Sequence, residues 1–426
     1  MRSLLLALLA IAAALAFPAL EARGDGDGAG AAGLVVHEWG TFTSVAGADG
    51  VALEWRPLAG KSDLPSFVYE IGGAPRGLRH GALCSICGHA GCRCQPDAAH
   101  CSPERDRGCG CKSCMIVEVR METPVLYFYA DLETTVSVKV DFPQGRVTEW
   151  YPQARAVGTG IDWGAVKVLP GAKDVAFPVE PGESHYYPAR KTDAAPVRVC
   201  SAGMGDGRPQ HEKFLFYRGA GTFDLPIAAT IEGETVRVRN LGKDEVSQVV
   251  LFENRGGRIG YRIHGDLGRG GASEVVLARP EPGPGIEPLE RDLEKILTTQ
   301  GLYGAEAKAM IETWRGDWFE EGLRVFYILP RRRTDEVLPI AIEPAPKDLV
   351  RVFVGRFELI TPDREAAIRK EVGRLSDPSP AVRAEAEAAI RRQGRFAEPV
   401  LRRAIAEQPD ALARAPIEAL LDGGAE

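Results

Sequence analysis

The sequence predicts a mainly β protein that ends in a helical segment, and three patterns lead to this prediction. Apolar residues alternate with polar ones at the period of a half-buried strand, as at Val136, Val138 and Val140. Short apolar runs bounded by Gly and Pro turns recur along most of the chain. From Asp363 the composition changes to Ala, Arg and Glu with helical spacing. We therefore expect two β-sandwich-like units, a Cys-rich insertion, a helical hairpin and a HEAT-like C-terminal segment.

Length and charge limit the possible classes of function. A chain of 426 residues can form more than one domain with ample core. Its net charge of −7, with acids and bases interspersed, argues against nucleic acid or an anionic membrane as a partner.

The composition changes and linkers divide the chain into units. The expected units are a signal peptide (1–22), a flexible lead-in (23–33), a β domain (34–200) with a Cys-rich insertion (84–114), a β-sandwich (208–277), a linker with a helical hairpin and returning strands (278–362), and HEAT-like helices (363–421).

The N-terminal residues have the pattern of a secretion signal. Arg2 precedes the apolar run Leu4–Leu15, and Pro18 and Ala22 follow in a small-residue region suited to cleavage. The run is short for a membrane span, and an uncleaved anchor is the alternative. We expect the mature protein to be periplasmic or extracellular and not integral to the membrane.

One segment holds eight of the nine cysteines and has almost no apolar residues that could form a core. Four thiolates, or three with His89 or His100, complete a tetrahedral zinc shell, so the segment suits structural zinc. In an oxidising compartment the same cysteines form disulfides, in pairings that the sequence does not determine. An iron–sulfur cluster fits the spacing least. The cysteines are Cys84, Cys87, Cys92, Cys94, Cys101, Cys109, Cys111 and Cys114.

The strands that flank this segment follow a regular order. The first alternates over residues 34–45, and Met115–Tyr129 is an almost continuous apolar run, as in a strand covered on both faces. Strands over 136–142 and 146–150 follow. The cysteine segment therefore interrupts a regular β pattern, which predicts an insertion at one end of a sheet.

Several motifs resemble a group of uncharacterised exported bacterial proteins. They include HEWGTFTS at His37–Ser44, METPVLYFY at Met121–Tyr129 and RVFVGR at Arg351–Arg356. The similarity spans most of the chain between Leu34 and Pro362. It implies export and a shared fold, and it implies no mechanism.

The second half combines short strands with helices. Strands at 213–217, 228–231, 235–240, 248–253 and 260–264 predict a small antiparallel sandwich. After the Pro/Gly-rich linker, two apolar stripes predict a helical hairpin: Leu289, Leu293, Ile296 and Leu297, then Ala307, Met310, Ile311 and Trp314. Strands return before the tail. A single HEAT-like helix pair does not bury its own apolar face, so we expect the tail to dock on the β body or on a partner.

His37 has two interpretations. Glu38 follows it in a strand, and adjacent strand residues point to opposite faces, so the two do not line one pocket. His37 is either a buried, hydrogen-bonded core histidine beside Trp39, or a metal ligand together with His185 and nearby carboxylates.

A polar and aromatic loop gives the second set of candidates. His185, Tyr186 and Arg190, with Trp150 and Tyr151, form a possible surface for a sugar or peptide, and the alternative is a loop whose tyrosines cover a sheet edge. His37 and Trp39 complete the set of possible ligand-binding residues.

No His-Glu-x-x-His, Gly-x-Ser-x-Gly or phosphate-loop motif occurs in the sequence. The resulting hypothesis is an exported cell-envelope binding or scaffold protein of unknown protein or glycan ligand, with the cysteine segment as a structural element. The alternative is a metal-dependent hydrolase that uses His37, His185 and nearby carboxylates.

Overall fold

The computed structural model describes residues 31–58, 63–71, 115–200, 208–270, 273–283 and 285–422. Within them the prediction of a mainly β protein with a helical C-terminal part is confirmed. The predicted signal peptide, most of the lead-in and the whole cysteine segment lie outside the described residues. No helix in the described part is long and apolar enough to cross a membrane.

The strands and helices follow one another in this order along the chain. The strands are β1 (Ala31–Ala46), β2 (Tyr69–Glu70), β3 (Val119–Tyr129), β4 (Thr134–Asp141), β5 (Gly145–Tyr151), β6 (Ala156–Gly158), β7 (Gly160–Val168), β8 (Val197–Val199), β9 (Gln210–Glu212), β10 (Leu215–Gly221), β11 (Ile227–Glu232), β12 (Thr235–Asn240), β13 (Val246–Arg255), β14 (Arg258–Leu267), β15 (Glu274–Ala278), β16 (Gly322–Ile328), β17 (Ile340–Glu343) and β18 (Pro346–Leu359). The α-helices are α1 (Glu287–Thr299), α2 (Gly304–Trp318), α3 (Arg331–Val337), α4 (Pro362–Arg374), α5 (Pro380–Arg391), α6 (Ala397–Glu407) and α7 (Ala411–Asp422).

A nine-stranded sheet forms the centre of the molecule, in the order β14-β13-β16-β18-β1-β3-β10-β5-β2. The central strand β1 pairs in parallel with β18 and antiparallel with β3. The strands of this sheet come from all three predicted β segments of the sequence, 34–200, 208–277 and 278–362. The separate sandwich predicted over 208–277 is therefore not formed as such, because β10, β13 and β14 join the same sheet as β1 and β3. The alternation of apolar and polar residues identifies which face of a strand is buried, but it does not identify the strand that pairs with it.

Two smaller sheets cover one face of this central sheet. One contains β17, β4, β7, β8 and β9, with β6 paired to β7, and the other contains β11, β12 and β15. Val36 and Phe42 of β1 share one apolar cluster with Val136 of β4 and Val236 of β12. The smaller sheets thus form a sandwich with the central sheet.

The helical hairpin covers the opposite face. The predicted apolar stripes of α1 and α2 are buried, and they pack in one cluster with Trp39 of β1 and Val352 of β18. At the start of α2, the backbone N–H of Tyr303 donates to Glu306 Oε2 at 2.7 Å and closes a capping box.

The tail helices α4 to α7 have their own small core and also dock on the β body. Ile390, Leu401 and Ile417 belong to the tail core. A second cluster joins tail residues to the β body, and it contains Val45, Trp55, Ile360, Ile368, Phe396 and Val400. The tail therefore buries an apolar face against the end of β1 and the segment that follows it.

Candidate functional site

His37 occupies a fully enclosed position between β1 and α2. Its side chain is 2% exposed, and its Nδ1 donates to Glu306 Oε2 at 2.8 Å. The hydroxyl of Tyr129 donates to the other oxygen of Glu306 at 2.9 Å. The His37 ring also lies 4.4 Å from the ring of Tyr303. These contacts fix the first turn of α2 to the sheet, as expected of a structural histidine.

Glu38 belongs to a different cluster on the other face of the sheet. The hydroxyl of Tyr217 donates to Glu38 Oε1 at 2.6 Å, and Arg351 donates to the second oxygen. Both charged side chains are fully buried. Adjacent strand residues thus face opposite sides, as the strand period requires.

The predicted aromatic surface is mostly packed. Arg190 donates to both oxygens of Glu212, at 2.9 and 2.6 Å, and the fully buried Tyr186 donates to the same carboxylate at 3.1 Å. Burial raises the pKa of Tyr186 well above its usual value. Tyr151 is buried in the same apolar cluster. The Arg190 guanidinium carbon lies 5.0 to 5.9 Å from four ring centroids, those of Phe67, Phe177, Tyr186 and Tyr187.

The remaining two aromatic candidates are placed differently. Trp39 is fully buried, with its ring centroid 6.2 Å from that of Tyr127. Trp150 is half-buried and stacks on its cross-strand neighbour Tyr69, with centroids 6.0 Å apart and an interplanar angle of 18°. The structure thus distributes the seven predicted ligand residues among several clusters.

His185 lies in a polar cluster that we call the His185 site, formed by Asp63, Arg120, His185, Arg218 and Trp314. Arg218 of β10 donates to Asp63 Oδ1 at 2.7 Å and to His185 Nε2 at 3.1 Å. The His185 ring stacks on Trp314 of α2, with centroids 5.5 Å apart. Arg120 Nη2 lies 3.6 Å from Asp63 Oδ2. One loop, two strands and a helix therefore meet at this imidazole.

Burial and charge set the protonation of the site. Burial lowers the pKa of His185, and the neighbouring Arg218 lowers it further, so the ring is neutral at pH 7. Burial alone would raise the pKa of Asp63, but Arg218 and Arg120 outweigh it and hold that pKa far below its usual value. The imidazole therefore accepts through Nε2 from a guanidinium whose charge is permanent.

Three buried hydrogen-bond donors of this site lack a hydrogen-bond acceptor among the described residues. Arg218 Nε and Trp314 Nε1 have no hydrogen-bond partner among the described residues, and both side chains are 1% exposed. Arg120 Nε is likewise without a hydrogen bond, although it lies 3.4 Å from Glu122 Oε1. Leaving a buried donor unmatched costs about 1–3 kcal/mol. These nitrogens are therefore suited to an oxygen acceptor supplied by another molecule.

A strained backbone turn brings Arg120 and Glu122 to this face. Thr123 has φ of 45°, a region that β-branched residues rarely adopt. The register of β3 shifts here against both neighbouring strands. Without the shift, strict alternation from Tyr127 would place Glu122 on the opposite face.

An alternating series of charges leads from the site to the tail, and we call it the ion-pair chain. Asp63 contacts Arg120 at 3.6 Å, and Glu122 lies between Arg120 at 3.4 Å and Arg356 at 3.8 Å. Arg356 contacts Glu320 at 2.7 Å. Glu320 contacts Arg395, which precedes helix α6 of the tail.

Sequence reasoning found His185 but missed its partners. Asp63, Arg120, Arg218 and Trp314 were not among the predicted site residues. Arg218 carried a usable signal, because it follows Phe214 and Phe216 at the strand period and so belongs on a buried face. A charged residue at such a position needs a partner.

The described residues contain no group of three or more His, Cys, Asp or Glu side chains arranged to hold a metal ion. His37 and His185 have different partners, Glu306 for the first and Arg218 for the second.

Comparison with known proteins gives little further guidance. No family model matches the chain, and no curated protein matches it. Among solved structures, a yeast delta-COP-I mu-homology domain complexed with a Dsl1 WxWxV peptide aligns with a TM-score of 0.29 at 8% identity. The alignment covers 77% of this chain and 98% of that one. A likeness of this size carries neither fold nor ligand to this chain.

Proposed function

We propose that the protein is an exported cell-envelope binding protein and that the His185 site holds its ligand. Export is supported by the apolar run Leu4–Leu15 behind Arg2. The binding role rests on one observation: Arg218 Nε and Trp314 Nε1, both buried and without an acceptor among the described residues, belong to the two side chains that contact the His185 ring. A ligand oxygen satisfies donors that the folded chain leaves unmatched.

The chemistry of His185 favours binding over acid–base catalysis. A general base needs a lone pair that is available to the substrate proton and a pKa near the working pH. The Nε2 lone pair of His185 accepts from Arg218, and burial lowers its pKa. The metal-dependent hydrolase hypothesis stays a prediction, and metal content of the purified protein tests it.

The role of the cysteine segment and the identity of the partner are part of the same proposal. The cysteine segment Cys84–Cys114 serves as a structural staple, held by disulfides or by structural zinc. The partner that presents the ligand is a protein or glycan of the envelope.

The test uses the Trp314 indole N–H as the reporter. The chain has six tryptophans, so the indole region of a nitrogen-15 spectrum is simple, and Trp314→Phe identifies the Trp314 signal. We expect this signal to shift when one of four probes is added: a neutral trisaccharide, acetate, inorganic phosphate or trialanine. Trp163 is the matched control, since its Nε1 already donates to Pro152 O at 3.0 Å. If no probe moves the Trp314 signal, the His185 site is not the binding site.

A further inference from the structure

We infer that the docked tail sets the position of Arg120 in the His185 site, and that Arg395 is the positioning residue through which the tail acts. The inference rests on the proposed function, since it concerns the regulation of the same binding site. Three observations support it: Arg120 is loosely held, the tail end of the ion-pair chain is tightly held, and the charges between them are buried.

Arg120 is the loosely held member of the ion-pair chain. Its Nη2 lies 3.6 Å from Asp63 and its Nε 3.4 Å from Glu122, yet no described residue accepts a hydrogen bond from it. Asp63 instead accepts from Arg218 through both oxygens, at 2.7 and 3.3 Å. Glu122 Oε2 accepts from the Thr43 hydroxyl at 3.0 Å. Because Arg120 is held by charge alone, it can move between the two carboxylates.

The end of the ion-pair chain nearest the tail is held much more tightly. Arg356 of β18 donates to Glu358 Oε1 at 2.6 Å and to Glu320 Oε1 at 2.7 Å. Arg395, in the turn before α6, donates to the same oxygen of Glu358 at 2.9 Å and contacts the same oxygen of Glu320. In contrast, Arg356 Nη1 lies 3.8 Å from Glu122 Oε2. The two arginines therefore share two carboxylates, and one longer contact leads on to Glu122.

Burial makes the attraction between these groups strong. Arg356, Glu358 and Glu122 are all buried, so water and salt screen their charges only weakly. Burial lowers the pKa of Arg395 to about 10, while the carboxylates of Glu122 and Asp317 act on it in the opposite direction. Arg395 is therefore charged at pH 7, and its charge acts on Glu122 as well as on the carboxylates that it contacts.

The direction of the effect follows from these distances. Without the charge of Arg395, the two carboxylates that it shares attract Arg356 more strongly. The 3.8 Å contact between Arg356 and Glu122 is the longest in the ion-pair chain, so it is the first to break. Glu122 then draws Arg120 into a hydrogen bond and away from Asp63. The docked tail thus keeps the Arg120 guanidinium beside Asp63, where a ligand of the His185 site can reach it.

The experiment follows the Trp314 indole signal in variants of the complete protein without a ligand. Trp314 stacks on His185, which accepts from Arg218, so its signal reports the arrangement of the site. We expect Arg395→Gln, which removes the charge, to shift the signal. We expect Arg395→Lys, which keeps the charge, to return the signal most of the way to its original position. An unmoved signal in Arg395→Gln would overturn the inference.

Arg391→Gln is the matched control for loss of a positive charge from the tail. Arg391 is an exposed arginine of α5 that pairs with Glu387, one helical turn before it. We expect its substitution to leave the Trp314 signal in place. A shift as large as that of Arg395→Gln would mean that any charge lost from the tail has the same effect, which contradicts a specific role of Arg395.

An Arg120→Gln background tests whether the effect passes through Arg120. This substitution interrupts the ion-pair chain, so we expect Arg395→Gln to cause no additional shift of the Trp314 signal in it. An additional shift of the original size would mean that Arg395 acts on Trp314 directly or by loosening the tail, and it would overturn the inference. Melting temperatures verify that all variants are folded at the temperature of the measurement.

The outcome distinguishes this inference from the proposed function. A Trp314 signal that shifts with one of the four probes named above, but not with Arg395→Gln, overturns the inference and keeps the binding site. A signal that shifts with Arg395→Gln but with none of the probes supports the coupling and overturns the proposed binding function.

Discussion

At the scale of single residues, two buried arginines differ in how completely the described residues satisfy their hydrogen bonds. Arg324 is fully buried, and it donates to Glu358 at 3.1 Å and to the backbone oxygens of Trp318 and Glu321. Burying a charge costs several kcal/mol unless its hydrogen bonds are complete. Arg324 meets that condition within the fold. Arg218 does not, because its Nε has no acceptor among the described residues.

The role of His37 gives a prediction at the same scale. His37→Ala removes the hydrogen bond to Glu306 and leaves that fully buried carboxylate with fewer donors. We expect the free energy of unfolding to fall by about 1–3 kcal/mol, with the metal content of the protein unchanged. Chemical denaturation and elemental analysis of the same sample measure both quantities.

The matched control for this prediction is His264→Ala, because His264 is exposed on β14. We expect its unfolding free energy to stay within about 0.5 kcal/mol of the original. Normal stability of His37→Ala together with one lost metal equivalent would instead support the hydrolase hypothesis.

At the scale of elements, helix α2 is attached to the sheet at both ends. His37 and Tyr129 hold Glu306 at its start. At its end, Arg356 donates to the backbone oxygen of Asp317 at 2.7 Å. The helix therefore carries Trp314 at a fixed position over the sheet, which a binding site requires.

The docked tail gives the prediction for this scale. Phe396 is buried against the β body beside Val45 and Trp55. Phe396→Ala should lower the free energy of unfolding of the whole protein by about 3–5 kcal/mol, since it leaves a cavity at the junction. Leu412→Ala is the control, because Leu412 is 84% exposed and its truncation should have almost no effect.

Deleting the residues after Pro362 extends this test of the tail. Calorimetry should show a lower melting temperature for the remaining β body, because the deletion exposes the apolar surface beneath the tail. An unchanged transition would mean that the tail is an independent arm.

The cysteine segment gives a second prediction for this scale. Thiols are counted under denaturing, non-reducing conditions, and zinc is measured in the same sample. Disulfides predict that the eight cysteines of the segment are unreactive, whereas zinc predicts eight reactive thiols in metal-bearing protein. Cys200 lies outside the segment and is exposed, so its thiol provides an internal reference. Eight reactive thiols with no bound metal would contradict both interpretations.

At the scale of the whole molecule, the sequence predicted which face of a strand or helix is buried better than it predicted which strands lie side by side in a sheet. The stripe from Leu289 to Leu297 and the alternation of β4 correctly indicated which residues are buried, because each depends only on local period. The sheet order depends on contacts between distant segments, and local period does not contain that information. The same limit applies to the site: the register shift at Thr123 reverses the face of Glu122 and Arg120 relative to strict alternation, and the local sequence pattern does not indicate that shift.

The parallel pairing of β1 with β18 has a consequence for how the chain folds. The buried pair Glu38 and Arg351 joins residues 313 positions apart in the sequence. Contacts of such long range slow folding, because the entropy of closing the loop is lost before the contact stabilises the chain. A ribosome delivers β1 long before β18, which is the last strand of the β body in chain order, so the central pair of the sheet forms only after the other described strands have been synthesised. Until then the apolar strand β1 lacks one of its two neighbours, which makes the nascent chain dependent on protection from aggregation.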